Sequence, residues 1–224
     1  QDGSGNVSSK SYSVNVLGVP ATYTYDANGN LATKAEGADA WVYTWNALNQ
    51  LTAVTKNGVT QATYSYDPLR RRVEEAAGGT VTGWAYDRED ILSQRATVAS
   101  VATTTRFIHG PGYDDPMAQE AAANSTLTFM HVDLLGSIGR HTNSSGAVTL
   151  SRDYDSWGRI AAGSAVDGYA FTAREWAAPV GLYYCRWRWY DAGPGRFVSE
   201  DPLGPPRVEH LYAYVDNNPA TYAD

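Results

Sequence analysis

The chain is short of cysteine and of charge. A single Cys in 224 residues excludes an internal disulfide and any multi-thiolate metal site. The four His residues, His109, His131, His141 and His210, are scattered without a metal-ligand spacing, so neither a metal nor a cofactor is expected. Charged residues make up 18% of the chain and the net charge is −7; phosphates would be repelled by such a surface on average, which argues against a nucleic-acid partner. No segment is long and apolar enough to span a bilayer. No signal-peptide pattern stands at Gln1, so export would have to be encoded elsewhere. A sustained 3.6-residue apolar period is also missing, with one or two helical turns expected at most over Asp115 to Ala123.

Aromatic residues are plentiful: sixteen Tyr and seven Trp against two Met. They recur in a pattern of aromatic, any residue, aromatic, then Asp or Asn, followed by a turn. Tyr23, Tyr25 and Asp26 make the first copy, Tyr43, Trp45 and Asn46 the second, Tyr64, Tyr66 and Asp67 the third, Trp84, Tyr86 and Asp87 the fourth. The polar positions lie about 20 residues apart, a repeat period. Two aromatics two apart share one face of a strand, while Thr22 and Thr24 take the other. The Asp or Asn behind them bonds local backbone, and Asn28-Gly29 tolerates positive φ. Each repeat therefore reads as a β-hairpin, its second strand ending at a further turn, as Leu51 to Thr55 does before Lys56-Asn57-Gly58. The expected fold is all-β, with aromatic ladders along a sheet.

Other residues carry less specific signals. Arg70-Arg71-Arg72, backed by Glu74-Glu75, reads as a solvated or ion-paired turn; Arg70 stands where a turn glycine would, at little cost if the turn is type I. Leu182 to Tyr190 reads as one strand with Tyr183, Cys185, Trp187 and Trp189 on one face and Tyr184, Arg186, Arg188 and Tyr190 on the other. Cys185 is then a buried, inert thiol in an aromatic layer.

The stretch from Gly181 to Gly204, with His210-Leu-Tyr-Ala-Tyr-Val-Asp-Asn-Asn-Pro-Ala-Thr-Tyr-Ala-Asp224 behind it, resembles the core element that closes Rhs/YD-repeat proteins. The upstream repeats, including His131-Val-Asp-Leu-Leu-Gly-Ser137 and Tyr154-Asp-Ser-Trp-Gly-Arg-Ile160, carry the same resemblance, so that it covers Thr22 to Asp224. It implies that the hairpins form a curved, strip-like sheet, part of a hollow β-shell. The shell would enclose, shield or present an attached C-terminal polypeptide such as a toxin, from a secreted or cell-surface location. The partners implied are the remainder of the parent chain and its downstream cargo.

Three segments follow: residues 1–17, the end of an upstream Ig-like domain or the first shell hairpin, with Gly18-Val19-Pro20 as linker; 18–180, the repeats; and 181–224, the core element, cut short before the Pro-x-Gly-Leu that the family pattern continues into. In many relatives the core element cuts its own chain after that motif. Carried over by motif, Asp201 of Glu-Asp-Pro-Leu-Gly and Asp224 match the two aspartates implicated, with Arg196 as a supporting charge. Two carboxylates whose environments separate their pKa values suit that chemistry, whereas from residue types alone Asp201-Pro202 is a turn opener. Three functions remain open: a structural shell, a single-turnover aspartyl autoprotease acting in cis, and an extracellular adhesive array using exposed aromatics. A sheet with two open edges is expected to self-associate.

Overall fold

The computed structural model describes residues 10–16, 19–204 and 210–223, with side chains from Pro20 onward. Fifteen strands follow one another in chain order. β1 (Lys10–Val16), β2 (Val19–Tyr25), β3 (Leu31–Glu36), β4 (Asp39–Trp45) and β5 (Leu51–Lys56) open the sheet. β6 (Val59–Tyr66), β7 (Arg72–Ala77), β8 (Thr80–Asp87), β9 (Asp90–Val98) and β10 (Val101–His109) form its middle. β11 (Pro116–Ala121), β12 (Thr126–Val132), β13 (Ile138–Asn143), β14 (Val148–Tyr154) and β15 (Ile160–Gly163) close it. Every neighbour in the sheet is the next strand in sequence, and the pairings are antiparallel. The all-β expectation holds.

The aromatic repeat explains how this strip is built. In each of the four copies the first aromatic points inward: Tyr23, Tyr43 and Tyr64 are buried and Trp84 packs half-buried against the core. The second sits at a β-bulge, where the register shifts between Thr24 and Tyr25, Thr44 and Trp45, Ser65 and Tyr66, and Ala85 and Tyr86. Bulges bend the strand and increase its twist. The Asp or Asn that follows closes the turn with its side chain: Asp26 Oδ1 accepts from the amides of Asn28 and Asn30, Asn46 from Leu48 and Gln50, Asp67 from Leu69 and Arg71. Asp133 and Asp155 repeat the arrangement. Asp87 does not, because it lies within β8 and pairs with Asp90 across a tight two-residue connection.

A second sheet of five short strands follows: β16 (Gly168–Tyr169), β17 (Glu175–Ala177), β18 (Leu182–Cys185), β19 (Arg188–Asp191) and β20 (Arg196–Phe197). It starts at Gly168, ahead of the Gly181 boundary read from sequence, because the β16–β17 hairpin pairs onto β18. Both faces of β18 and β19 are covered. Tyr184, Trp189 and Leu182 pack with Tyr23, Leu31, Tyr43, Leu51 and Tyr64 of the strip's first strands. Tyr183, Cys185 and Tyr190 pack with Phe171, Phe197 and Tyr214, against Tyr154 of β14. The strip therefore curves round the small sheet, meeting one face with its beginning and the other with its end.

Four expectations are corrected. Leu182 to Tyr190 is a hairpin, not one strand: it turns at Arg186 (φ +56) and Trp187, so Tyr183 faces Tyr190 and Tyr184 faces Trp189, and Trp187 is exposed at the tip. Asp115 to Ala123 contributes strand β11 and no helical turn, since Pro116 through Ala121 pair on both sides. Arg72 is no solvated turn residue but a buried one at 2% exposure, although it is ion-paired to Glu75 as Arg71 is to Asp67, at 3.5 and 2.7 Å. Arg70 takes φ +69, the left-handed region held by Gly29 and Gly136 in other copies, at a cost of about 1 kcal/mol; its guanidinium stacks over Trp187.

At the N-terminal side, Lys10–Val16 pairs along β2, with Asn15 opposite Pro20. Pro20, read as part of a linker, is accommodated inside β2 because the ladder to β3 starts only at Ala21, so its missing N–H breaks no bond on that side.

Candidate functional site

Asp201 follows β20 and sits in a turn of the same kind as those of the repeats. Its Oδ1 accepts from Leu203 N at 2.9 Å and its carbonyl from Gly204 N at 3.0 Å. Its own amide donates to Leu211 O at 2.9 Å, tying the turn to the chain before Tyr212. The cation beside it is Arg188, whose Nη2 lies 3.0 Å from Asp201 Oδ2 with both side chains largely buried. Arg188 in turn lies 3.5 Å over the Phe197 ring, so its position is set by the core of the small sheet.

Arg196 does not take that place. It is exposed in β20, opposite Asp191 and bridged to Ala213. Asp224, and the stretch Pro205 to Glu209, lie outside the described residues. A polar cavity of about 240 Å³ adjoins Asp201, lined by Asn28, Asn30, Asn49, Ser199 and Glu200. Its floor is fixed: Asn28 and Asn30 both donate to Asn49 Oδ1, at 3.2 and 3.0 Å, and Tyr212 Oη donates to Gly29 O at 2.7 Å.

A second constellation joins the strip to the small sheet. Each bulge leaves the first residue after the repeat turn free to bond elsewhere. Leu31 N donates to Val198 O at 2.7 Å, Ile138 N to Ala170 O at 2.9 Å, and Arg72 N to Tyr184 Oη at 2.9 Å. The carbonyls of the same residues are taken by the second aromatic of the next copy. Trp45 Nε1 donates to Leu31 O, Tyr66 Oη to Leu51 O, Tyr86 Oη to Arg72 O and Tyr154 Oη to Ile138 O, all within 2.8 Å. His109 Nε2 is 2.9 Å from Ile91 O, which makes Phe107-Ile108-His109 a fifth copy; the signal was an aromatic two before a His, followed by the turn-forming Gly110-Pro111-Gly112.

Arg72 is the one charged side chain in this row of post-turn residues, where Leu31, Leu51, Ile91 and Ile138 are all buried. Its guanidinium lies 4.0 Å over Trp84 and 4.7 Å over Tyr184, and it reaches Glu75 at 3.5 Å and Glu175 at 3.4 Å. Burial pushes both carboxyls up from the ordinary range, with Arg72 opposing it. The aromatic row that an adhesive surface would need is covered, since Tyr23, Tyr43 and Tyr64 are all in the core.

Among families of known proteins, residues 5–220 match the model of the teneurin YD-shell. The chain is 31% identical over 212 residues, 90% of its length, to the tRNA3(Ser)-specific nuclease WapA of Bacillus spizizenii. It is 27% identical over 87% of its length to the double-stranded DNA deaminase toxin A of Burkholderia cenocepacia. It spans only 9% and 16% of those two proteins. Among solved structures, TcdB2–TccC3 without its hypervariable C-terminal region is similar in fold, with a TM-score of 0.66 at 19% identity, over 92% of this chain and 13% of that one. Among the described residues no helix is long and apolar enough to cross a membrane.

Proposed function

The chain belongs to the teneurin YD-shell family, and from that premise we propose that it is a wall segment of an Rhs-type shell that encloses or presents a toxin attached on its C-terminal side. One observation carries this reading. Relatives named for a tRNA nuclease and for a DNA deaminase share this same segment, which favours a role common to both over either reaction. The geometry agrees with a wall: the inward aromatics are spent on packing and on anchoring the small sheet. The proposal includes the rest of the parent chain as partner and a secreted or cell-surface location; of the two readings of residues 1–17, the pairing of Lys10–Val16 along β2 favours the first shell hairpin over the end of an Ig-like domain.

A second reading, a single-turnover aspartyl autoprotease acting in cis, is favoured by the setting of Asp201, whose carboxylate is held by Arg188 at the rim of a polar cavity. In it Asp201 and Asp224 would be the two carboxylates, with Arg188 in the supporting place assigned to Arg196 by motif. One experiment separates the readings. The intact parent, continuing naturally past Asp224, is treated with protease under native conditions and weighed by mass spectrometry, beside Asp201→Asn. A downstream polypeptide that resists digestion until the shell is unfolded is the expected result, and immediate digestion would overturn the shell. A cut shortly after Asp224, absent in Asp201→Asn, is expected of the autoprotease; full mass in both leaves Asp201 a turn residue.

A further inference from the structure

Beside Arg72, between β7–β10 of the strip and the β16–β17 hairpin, lies a cavity of about 200 Å³. Trp84 and Phe107 line it from the strip, Tyr169 and Trp176 from the hairpin. Its charged lining is Glu75, Glu175 and Asp167 against Arg72 alone. Two further cations, Arg174 and Arg186, act on Glu175 from outside the lining, and both are bonded to Asp114. Arg186 also reaches Glu89 at 3.5 Å. Counting these neighbours, five carboxylates face three guanidiniums. The two contacts that Arg72 makes, at 3.4 and 3.5 Å, are long for charge-assisted hydrogen bonds, so they leave carboxylate capacity over.

Excess negative charge between aromatic walls is the environment that attracts an organic cation, by Coulomb attraction and by the ring quadrupoles together. The volume is below that of ordinary small-molecule sites and matches one side chain. We propose that this cavity is a socket for the cationic head of an arginine or lysine side chain, carried by a polypeptide lying against the inward face of the strip. That this polypeptide is the attached one rests on the shell reading; the socket itself does not.

The test uses the chain with N-acetyl-arginine amide, N-acetyl-lysine amide and N-acetyl-citrulline amide, the last a neutral isostere of the first. Binding is read at the indole N–H resonances of Trp84 and Trp176. The two cations should shift both resonances saturably and the citrulline probe should not. Asp167 is exposed and its Oδ1 accepts from Ala178 N at 2.7 Å, a bond that an amide oxygen keeps. Asp167→Asn should therefore fold and weaken the cations about 3-fold, as for loss of one partly solvated charge. Gln94→Arg, which places a guanidinium in the cavity from β9, should abolish their effect. Equal shifts with citrulline, no shift with any probe, or undiminished binding in Asp167→Asn would overturn the socket. Because the probes are free amino-acid derivatives, failure here leaves the protection experiment on the parent chain unaffected.

Discussion

Arg72 shows how a single residue departs from its row without breaking it. An isolated guanidinium in the core would carry a desolvation penalty of several kcal/mol. Here Glu75 and Glu175 supply charge, Trp84 and Tyr184 supply ring faces, and Glu175 comes from the small sheet. The pairing therefore links strip and small sheet as well as offsetting the burial. Arg72→Leu copies the neighbouring repeats in shape but removes the cation between the buried Glu75 and the half-buried Glu175, and should lower stability by about 3 kcal/mol. The triple change Arg72→Leu, Glu75→Gln, Glu175→Gln removes the charges together and should recover most of the loss. Urea melts of both would decide it, and a single variant as stable as the parent would contradict the assigned role. The buried state of Arg72 could not be read from its neighbours in sequence, which place it in a run of three arginines. The clue was its register, one place after the turn, where other copies have Leu or Ile.

The hairpin is the next scale, and its defining device is the pairing of a bulge with an aromatic anchor. The bulge releases the backbone groups of the residue after the turn; the next copy's Tyr or Trp takes the carbonyl, and in three places the small sheet takes the amide. Tyr66 is more deeply buried than Tyr154, which has Arg152 beside its hydroxyl. The Tyr66 hydroxyl, pushed up to about 12 by burial, also accepts from Trp189 Nε1 at 3.1 Å. Removing it costs two bonds and leaves a buried indole N–H without its acceptor. Tyr66→Phe should therefore lose about 2 kcal/mol and Tyr154→Phe about 1 kcal/mol, the usual range for a buried hydrogen bond. Denaturant midpoints would test the order; equal losses, or none, would mean that the anchors contribute shape alone. Alternation and turn chemistry made the hairpins legible in advance, while the fifth copy was hidden because His109 replaces an aromatic and no Asp follows.

At the scale of the whole molecule, the small sheet is the core around which the strip bends. Among the described residues β1 and β15 pair on one side only, so each presents an unpaired backbone edge, and β15 is short and ends at Gly163 in a left-handed conformation. Natural sheets protect such edges because they template pairing with another chain. The isolated chain should therefore self-associate, with the longer β1 edge contributing more. Sedimentation velocity over a range of concentrations would show a weight-average mass that rises with concentration; a constant 24.3 kDa species would argue that the edges are already blunted.

The sequence by itself determined the period, the strand and turn chemistry and the family, because those rest on residues close together in the chain: two aromatics on one face, an Asp or Asn bonding amides two and four residues on. Only the tertiary structure decided which faces are covered and which charges meet. Arg188 rather than Arg196 beside Asp201, Arg72 between two sheets and the hairpin at Arg186-Trp187 all depend on contacts between distant segments. Strand alternation says that two side chains share a face, and is silent on whether another sheet lies over it.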